Sequence, residues 1–183
     1  MYRSKSNPQV VLHPQDLVVL LRLSLEQGPP PTYAALAAEL SLTASEVHAG
    51  VERARMAQLV RKGADGKPLV VREALRLFVR HGARYCFPAT RGEATRGMPT
   101  AHAAEPLVSR VVQPAGEPVP VWPHKQGTVR GMAFYPLYPT VPEAAVRNPA
   151  LYELLVLFDA VRGGSAREHG LAIELLDARW KVG

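Results

Sequence analysis

The sequence contains a single cysteine, Cys86, in 183 residues. A lone thiol excludes a disulfide within the chain and a cysteine-rich zinc site, and it is typical of proteins of the reducing cytoplasm. Long apolar runs are also missing, because the run from Leu17 to Leu25 is short and contains Arg22, so no transmembrane helix is expected. The N-terminus, MYRSKSNPQ, lacks the apolar stretch of a secretion signal. We therefore expect a cytoplasmic protein with no membrane partner.

Patterns that would support catalysis are absent as well. The six histidines show no H-x-x-x-H or H-E-x-x-H spacing that would place two metal ligands on one helical face. No phosphate-binding loop of the G-x-x-x-x-G-K type occurs. Cys86 stands in an apolar pattern, where a buried and inert thiol is expected. The sequence thus predicts no enzymatic activity and no metal or cofactor site.

The sequence does contain two short helical patterns joined by a tight turn, between Thr32 and Arg55. The first helix carries an apolar stripe at helical spacing, and the pattern breaks at Ser41. Thr43, with Glu46 three residues later, forms a capping box at the start of the second helix. This arrangement is typical of a DNA-binding helix-turn-helix, with an ordinary pair of packed core helices as the alternative.

Polar residues of the second helix are predicted to face outward near its capped end. Such side chains suit the major groove of DNA, where base edges are read and the positive end of the helix dipole favours phosphate. The residues expected to face bases or nearby phosphates are Ser45, His48, Ala49, Glu52 and Arg53. The residues expected to grip the DNA backbone are Thr43, Arg55, Arg84, Arg91 and Arg96.

Positive charge is concentrated in the same part of the chain. Residues 43–110 contain twelve Lys and Arg against six acids, an excess equal to the net charge of +6 of the whole chain. The flanking residues 1–42 and 111–183 are each neutral. A localised basic surface can release counterions from a phosphate backbone, which favours a nucleic-acid partner over a merely solvated surface.

The elements around this pair complete a winged helix-turn-helix prediction. A first helix is expected from Pro14 to about Gln27. Residues 61–68 are expected to form a basic turn, either a tight hairpin or a plain loop. A helix over residues 70–81 and a strand over residues 84–87 follow.

The polar loop over residues 90–97 is predicted to be the wing. It holds the pairs Arg91-Gly92 and Arg96-Gly97, in which glycine lets the backbone approach a phosphate and arginine supplies the charge. An exposed basic hairpin without a function is the alternative.

The last third of the chain changes character. Residues 106–149 hold nine of the seventeen prolines, which favours extended segments and turns that wrap across another surface, with peptide-groove recognition through P-V-P-V-W-P as an alternative. A helix is predicted from the Asn148 cap to Gly163, and another from a Ser165–Glu168 capping box towards Trp180. This helix pair is expected to form a homodimer interface, or else to pack within the chain.

We therefore predict a mainly α fold with small β elements (α+β) in two parts. Residues 1–105 form a winged helix-turn-helix DNA-binding domain, and residues 106–183 form a Pro-rich segment with C-terminal helices for dimerisation or partner binding.

The stretch TYAALAAELSLTASEVHAGVERARMAQLVRKG resembles the helix-turn-helix of winged-helix bacterial transcription regulators of the MarR-like kind, over roughly residues 12–100. The resemblance implies that the second helix, Thr43 to about Val60, reads the major groove while a hairpin touches the flank. Regulators of that kind place the hairpin soon after this helix, whereas the strand-like stretch here comes later. The motifs RYCFPA, TRGMPT, VWP and PLYPTVPEA also resemble an uncharacterised bacterial family of helix-turn-helix proteins.

These observations predict a sequence-specific regulator of transcription that binds double-stranded DNA as a homodimer. The alternative is a protein-interaction module, such as an antitoxin-like partner of another chain, in which the helix pair is a docking scaffold. A nucleic-acid-processing enzyme is a third class, for which no acids or metal ligands are identified.

Overall fold

The computed structural model describes residues 9–112, 116 and 118–180. Within this part of the chain the fold is mixed α/β, with eight α-helices and two small sheets, so the α+β class is confirmed at that level. The chain begins with three helices and a pair of strands: α1 Pro14–Ser24, α2 Tyr33–Leu40, α3 Ala44–Met56, β1 Val60–Lys62 and β2 Pro68–Val70.

Local signals set the starts of these helices. α1 begins at the predicted Pro14 but ends at Ser24 rather than near Gln27, because tighter i→i−3 turns replace the helix there. The capping box of α3 is confirmed: the Glu46 amide donates to Thr43 Oγ1 at 3.1 Å, and the Thr43 amide donates to Glu46 Oε2 at 2.7 Å.

The turn between α2 and α3 depends on a left-handed residue. Ser41 has a φ of 53°, and the Leu42 amide then donates to the Ala37 carbonyl at 2.9 Å, which closes the end of α2. α3 ends at Met56 rather than near Val60, because Gln58 adopts a left-handed φ of 61° and the Leu59 amide donates to the Ala54 carbonyl at 2.9 Å, which closes the helix.

β1 and β2 form an antiparallel hairpin directly after α3. The Gly63 amide donates to the Lys67 carbonyl at 2.8 Å and closes the loop between the strands. Of the two structures expected for residues 61–68, the hairpin is the one that forms.

Two helices follow, α4 Arg72–His81 and α5 Ala83–Cys86. The helix predicted over residues 70–81 is confirmed from Arg72 onward, since Val70 still belongs to β2, but the strand predicted over residues 84–87 is wrong. Gly82 stays in the right-handed helical region and its carbonyl accepts the amides of the third and fourth residues after it, both at 3.0 Å, so the chain makes one more helical turn. The Cys86 thiol is exposed on this turn rather than buried in a strand.

Three strands close into a small barrel: β3 Arg91–Pro99, β4 Pro120–Pro123 and β5 Val129–Phe134. β3 is antiparallel to both of the others, and β4 runs parallel to β5. A Cβ at Gly97 or Gly131 would meet a backbone carbonyl on the β4 side of the barrel, so glycine permits this close approach. The predicted wing loop over residues 90–97 is therefore wrong, because nearly all of it is strand β3.

The described chain ends in three helices: α6 Val141–Arg147, α7 Pro149–Gly163 and α8 Ala166–Trp180. The Asn148 cap of α7 and the Ser165–Glu168 capping box of α8 are confirmed. α6 lies where an extended segment was expected. Pro142 does not prevent this helix because it occupies the first turn, where a missing amide is tolerated.

α7 runs through the core. Its residues 154–162 are all buried, and it packs against α1, α5, α6 and α8. Buried apolar residues from Leu17 to Trp180 form one cluster, and Trp180 Nε1 donates to Ser24 Oγ at 3.1 Å, which joins the ends of α8 and α1. The C-terminal helices therefore pack within the chain and share a core with the first three helices.

A buried charged pair joins α7 to the barrel. Asp159 Oδ2 accepts hydrogen bonds from Trp122 Nε1 at 2.6 Å and from the Thr100 hydroxyl at 2.7 Å, and Asp159 Oδ1 accepts one from Arg162 Nε at 2.8 Å. Burial raises the pKa of Asp159, while Arg162 and the hydrogen bonds oppose that rise. Arg162 also donates to the Tyr135 carbonyl at 2.7 Å. Through Trp122 on β4, Thr100 just after β3 and Tyr135 just after β5, the pair thus holds the barrel against α7.

We expect Asp159→Ala to lower the free energy of unfolding by about 3–5 kcal/mol, because Arg162 would remain buried without a counterion. Adding Arg162→Met should recover part of that loss, since the unpaired charge is then gone. Urea unfolding of the two variants measures both effects. Equal stability of Asp159→Ala and the unmodified protein would contradict the role given to this pair.

Candidate nucleic-acid interface

α3 presents its capped N-terminal half to solvent. Of the five residues predicted to face DNA from this part of the helix, three are exposed and two are half-buried. The exposed ones are Thr43, Ser45 and His48, and the half-buried ones are Ala49 and Glu52. The His48 ring meets the Tyr33 ring edge-on, with centroids 5.5 Å apart, so α2 helps to orient it.

Arg53 does not face outward as predicted. Its Nε donates to Asp16 Oδ2 and its Nη2 to Asp16 Oδ1, both at 2.7 Å, and the Asp16 residue is 0% exposed. The same carboxylate accepts the His13 amide at 2.9 Å. Arg53 thus positions α3 on α1. The sequence signal for this pairing is Asp16, an acid among the apolar residues of α1.

Gly50 lies beside this ion pair on α3. A Cβ at this position would lie 2.8 Å from Asp16 Oδ1 and 3.5 Å from the Asp16 Cα, so a larger residue would push the two helices apart. Its small size therefore allows α3 to pack closely on α1.

Arg55 stays on the surface but pairs with Glu52 on the same helix. Its Nε and Nη2 donate to Glu52 Oε2 at 3.0 and 2.8 Å, and this pairing holds the pKa of Glu52 below its usual range. Both side chains are in contact with water, where such a pair is weak. A phosphate can therefore compete with Glu52 for Arg55.

The β1–β2 hairpin supplies cations that the site prediction did not include. Arg61 and Lys62 are exposed, and neither takes part in an ion pair of the described chain, whereas Lys67 lies 3.9 Å from Asp65. A small pocket of about 50 Å³ separates the hairpin from α3 and Tyr33. The signal for this hairpin is the Asp65-Gly66 dipeptide between two apolar stretches, a common hairpin turn.

The other three predicted phosphate contacts lie on α5 and β3 rather than on the hairpin. Arg84 is exposed, with its guanidinium 6.0 Å from the Tyr85 ring. Arg91 donates to the Gly163 carbonyl at 2.8 Å, so it joins β3 to the end of α7. Arg96 is exposed on β3.

No family model, curated protein or solved structure matches this chain. Among the residues described, no helix is both long and apolar enough to cross a bilayer. The same residues contain no group of three or more His, Cys, Asp or Glu side chains placed to hold a metal ion. The ligand of α3 and the hairpin is therefore inferred from the exposed side chains and charges of these two elements.

We expect Gly50→Ala to lower the free energy of unfolding by about 1–3 kcal/mol, because the added methyl group overpacks the contact with Asp16. Gly170→Ala is the matched control on α8: a Cβ there meets nothing within 4 Å, and the change should raise stability by about 0.4–1 kcal/mol. Thermal unfolding compares the two. A similar rise in both variants would show that α3 does not pack closely on α1.

The capping box predicts a pH effect at the start of α3. Hydrogen bonds from the Thr43 amide and hydroxyl lower the pKa of Glu46, so the folded protein releases this proton more readily than the unfolded chain. The cap therefore stabilises α3 above the usual glutamate pKa and is lost as the pH falls through the lowered value. An NMR titration of the Glu46 carboxyl in Thr43→Ala should give a higher pKa that is still below normal, because the amide bond remains. An unchanged pKa would contradict the box.

Proposed function

We propose that the protein is a sequence-specific regulator of transcription in the cytoplasm that binds double-stranded DNA as a homodimer through a winged helix-turn-helix. In this proposal α3 is the recognition helix in the major groove, and the β1–β2 hairpin is the wing on the flanking backbone.

The observation that carries the proposal is the exposure of Ser45 and His48 at the capped N-terminus of α3. Short polar side chains at this position can reach base edges, while the free amides of the first turn favour phosphate.

The hairpin supports the same proposal. It follows α3 directly, which is where MarR-like regulators have their wing. The later position expected for the wing, which would have differed from that family, is therefore not needed. Its cations Arg61 and Lys62 can meet phosphates beside the groove that α3 occupies.

The homodimer in this proposal brings two copies of α3 to half-sites about 34–36 Å apart on the duplex. Because α7 is buried in its own chain, the copies have to meet through other surface. Leu77 on α4 and Tyr85 on α5 are large apolar side chains that are exposed and available for such a contact.

The two parts of the interface should respond differently to substitution. Arg61→Ala with Lys62→Ala should weaken binding to all duplexes and reduce the slope of log affinity against log salt by about 4, because two phosphate contacts are lost in each subunit of the dimer. Ser45→Ala or His48→Ala should alter sequence preference, with about 1–3 kcal/mol lost for each base contact. Selection from random duplexes, followed by fluorescence anisotropy, measures both.

Arg110→Ala with Arg167→Ala is the control for this experiment. It also removes two exposed cations, one in the turns after β3 and one on α8, and the ion pairs of the described chain include neither. Unchanged affinity and preference in both α3 and hairpin variants would refute the proposed interface.

A protein-interaction module remains the second candidate, and one observation favours it. A groove of about 420 Å³ runs between the end of α1 and β2, with Leu23, Pro30 and Leu69 among its lining residues. Specific co-purification of an unrelated chain that is lost in Leu69→Asp, together with no shift of promoter DNA, would support this candidate over the DNA-binding one.

A further inference from the structure

We infer that the barrel carries a second phosphate-binding surface, formed by Arg96, Arg130 and Lys125, which extends the contact with the DNA backbone beyond α3 and the hairpin. We call this set the barrel cations. The inference rests on the proposed function and adds to it a second part of the molecule that contacts the same ligand.

Two of the barrel cations face each other across the sheet. Arg96 on β3 is directly opposite Arg130 on β5 in the antiparallel ladder, and both are exposed. Like charges at opposed positions repel and destabilise a sheet. The ion pairs of the described chain include neither guanidinium. An anion bound between them would remove the repulsion, and two adjacent guanidinium groups match the oxygens of a phosphate.

Lys125 belongs to the same end of the barrel. It follows His124, whose amide donates to the Arg96 carbonyl at 3.3 Å, and it is exposed in the turn between β4 and β5. The acid nearest to this turn in the contacts described is Glu143, whose Oε1 lies 3.6 Å from His124 Nε2. Glu143 thus pairs with the histidine before Lys125, and the ion pairs of the described chain do not include Lys125 itself.

α6 connects this end of the barrel to the helix-turn-helix. Arg147 at the end of α6 donates to the Glu39 carbonyl at 3.0 Å and to the Ser41 hydroxyl, in the turn that precedes α3. Glu143, which faces His124, lies one helical turn (about 6 Å) earlier on α6. Each step from the α2–α3 turn to the barrel is thus a direct contact or one turn of helix. The barrel cations are then taken to meet the same duplex beyond the segment that α3 and the hairpin occupy.

The length of the DNA duplex can therefore distinguish contacts of α3 and the hairpin from contacts of the barrel cations. A duplex of about 18 bp holds both half-sites of the homodimer and can occupy α3 and the hairpin alone, whereas one of about 36 bp extends past them on each side to the barrel. We expect Arg96→Ala with Arg130→Ala to weaken binding of the long duplex at least about tenfold and to lower its salt slope by about 4, two contacts in each subunit, while binding of the short duplex is unchanged.

A second variant separates binding from folding. Arg130→Glu replaces the like-charged pair with an attractive one opposite Arg96, so it should raise the Tm while it weakens binding of the long duplex. A variant with a damaged fold would instead show a lower Tm together with weaker binding. Arg110→Ala with Arg167→Ala again serves as the control for loss of two charges.

The outcomes also separate this inference from the proposed function. If the barrel variants bind both duplexes like the unmodified protein while the hairpin variant loses both, the inference is wrong and the proposed function stands. Equal weakening at both lengths would place these arginines in the main interface and would also overturn the inference. If the unmodified protein binds neither duplex, the proposed function fails and the inference fails with it.

Discussion

The ion pair between Asp16 and Arg53 is the constraint on which the helix-turn-helix depends. A fully buried carboxylate is tolerated only when its oxygens accept hydrogen bonds. Here Arg53 donates one bond to each oxygen of Asp16, and the His13 amide donates a third. Gly50 leaves the room that the carboxylate needs. The pair fixes the rotation of α3 about its own axis, and that rotation leaves the polar residues of the opposite face in water.

Sequence reasoning succeeded where a structure is set by neighbouring residues. The capping boxes at Thr43 and Ser165 and the Asn148 cap involve groups only three residues apart, and each was found in the place expected. It failed where contacts between residues far apart in sequence determine the local structure. Strand-forming residues after Gly82 continue as a helix, and Gly97, read as a phosphate-binding glycine, instead lets two strands approach.

In the candidate site, too, sequence reasoning succeeded for local features and failed for long-range contacts. Helical periodicity was sufficient to place Ser45 and His48 on the exposed face, because they lie near its centre. Arg53 lies near the edge of that face, where periodicity cannot decide between water and a partner 37 residues away in sequence. The hairpin was visible in the Asp-Gly dipeptide, but the arginine-glycine pairs further along competed with it as the wing.

The bond from Trp180 to Ser24 bears on how such a chain can evolve. Because the final helix closes over the end of the first one, the portion that would read DNA is not an independent cassette. Recombination that joined it to a foreign C-terminal half would leave apolar side chains of α1 in water. Selection therefore acts on both halves together, and if the proposed function holds, a new DNA specificity is reached by point substitution on the outer face of α3 rather than by exchange of a domain.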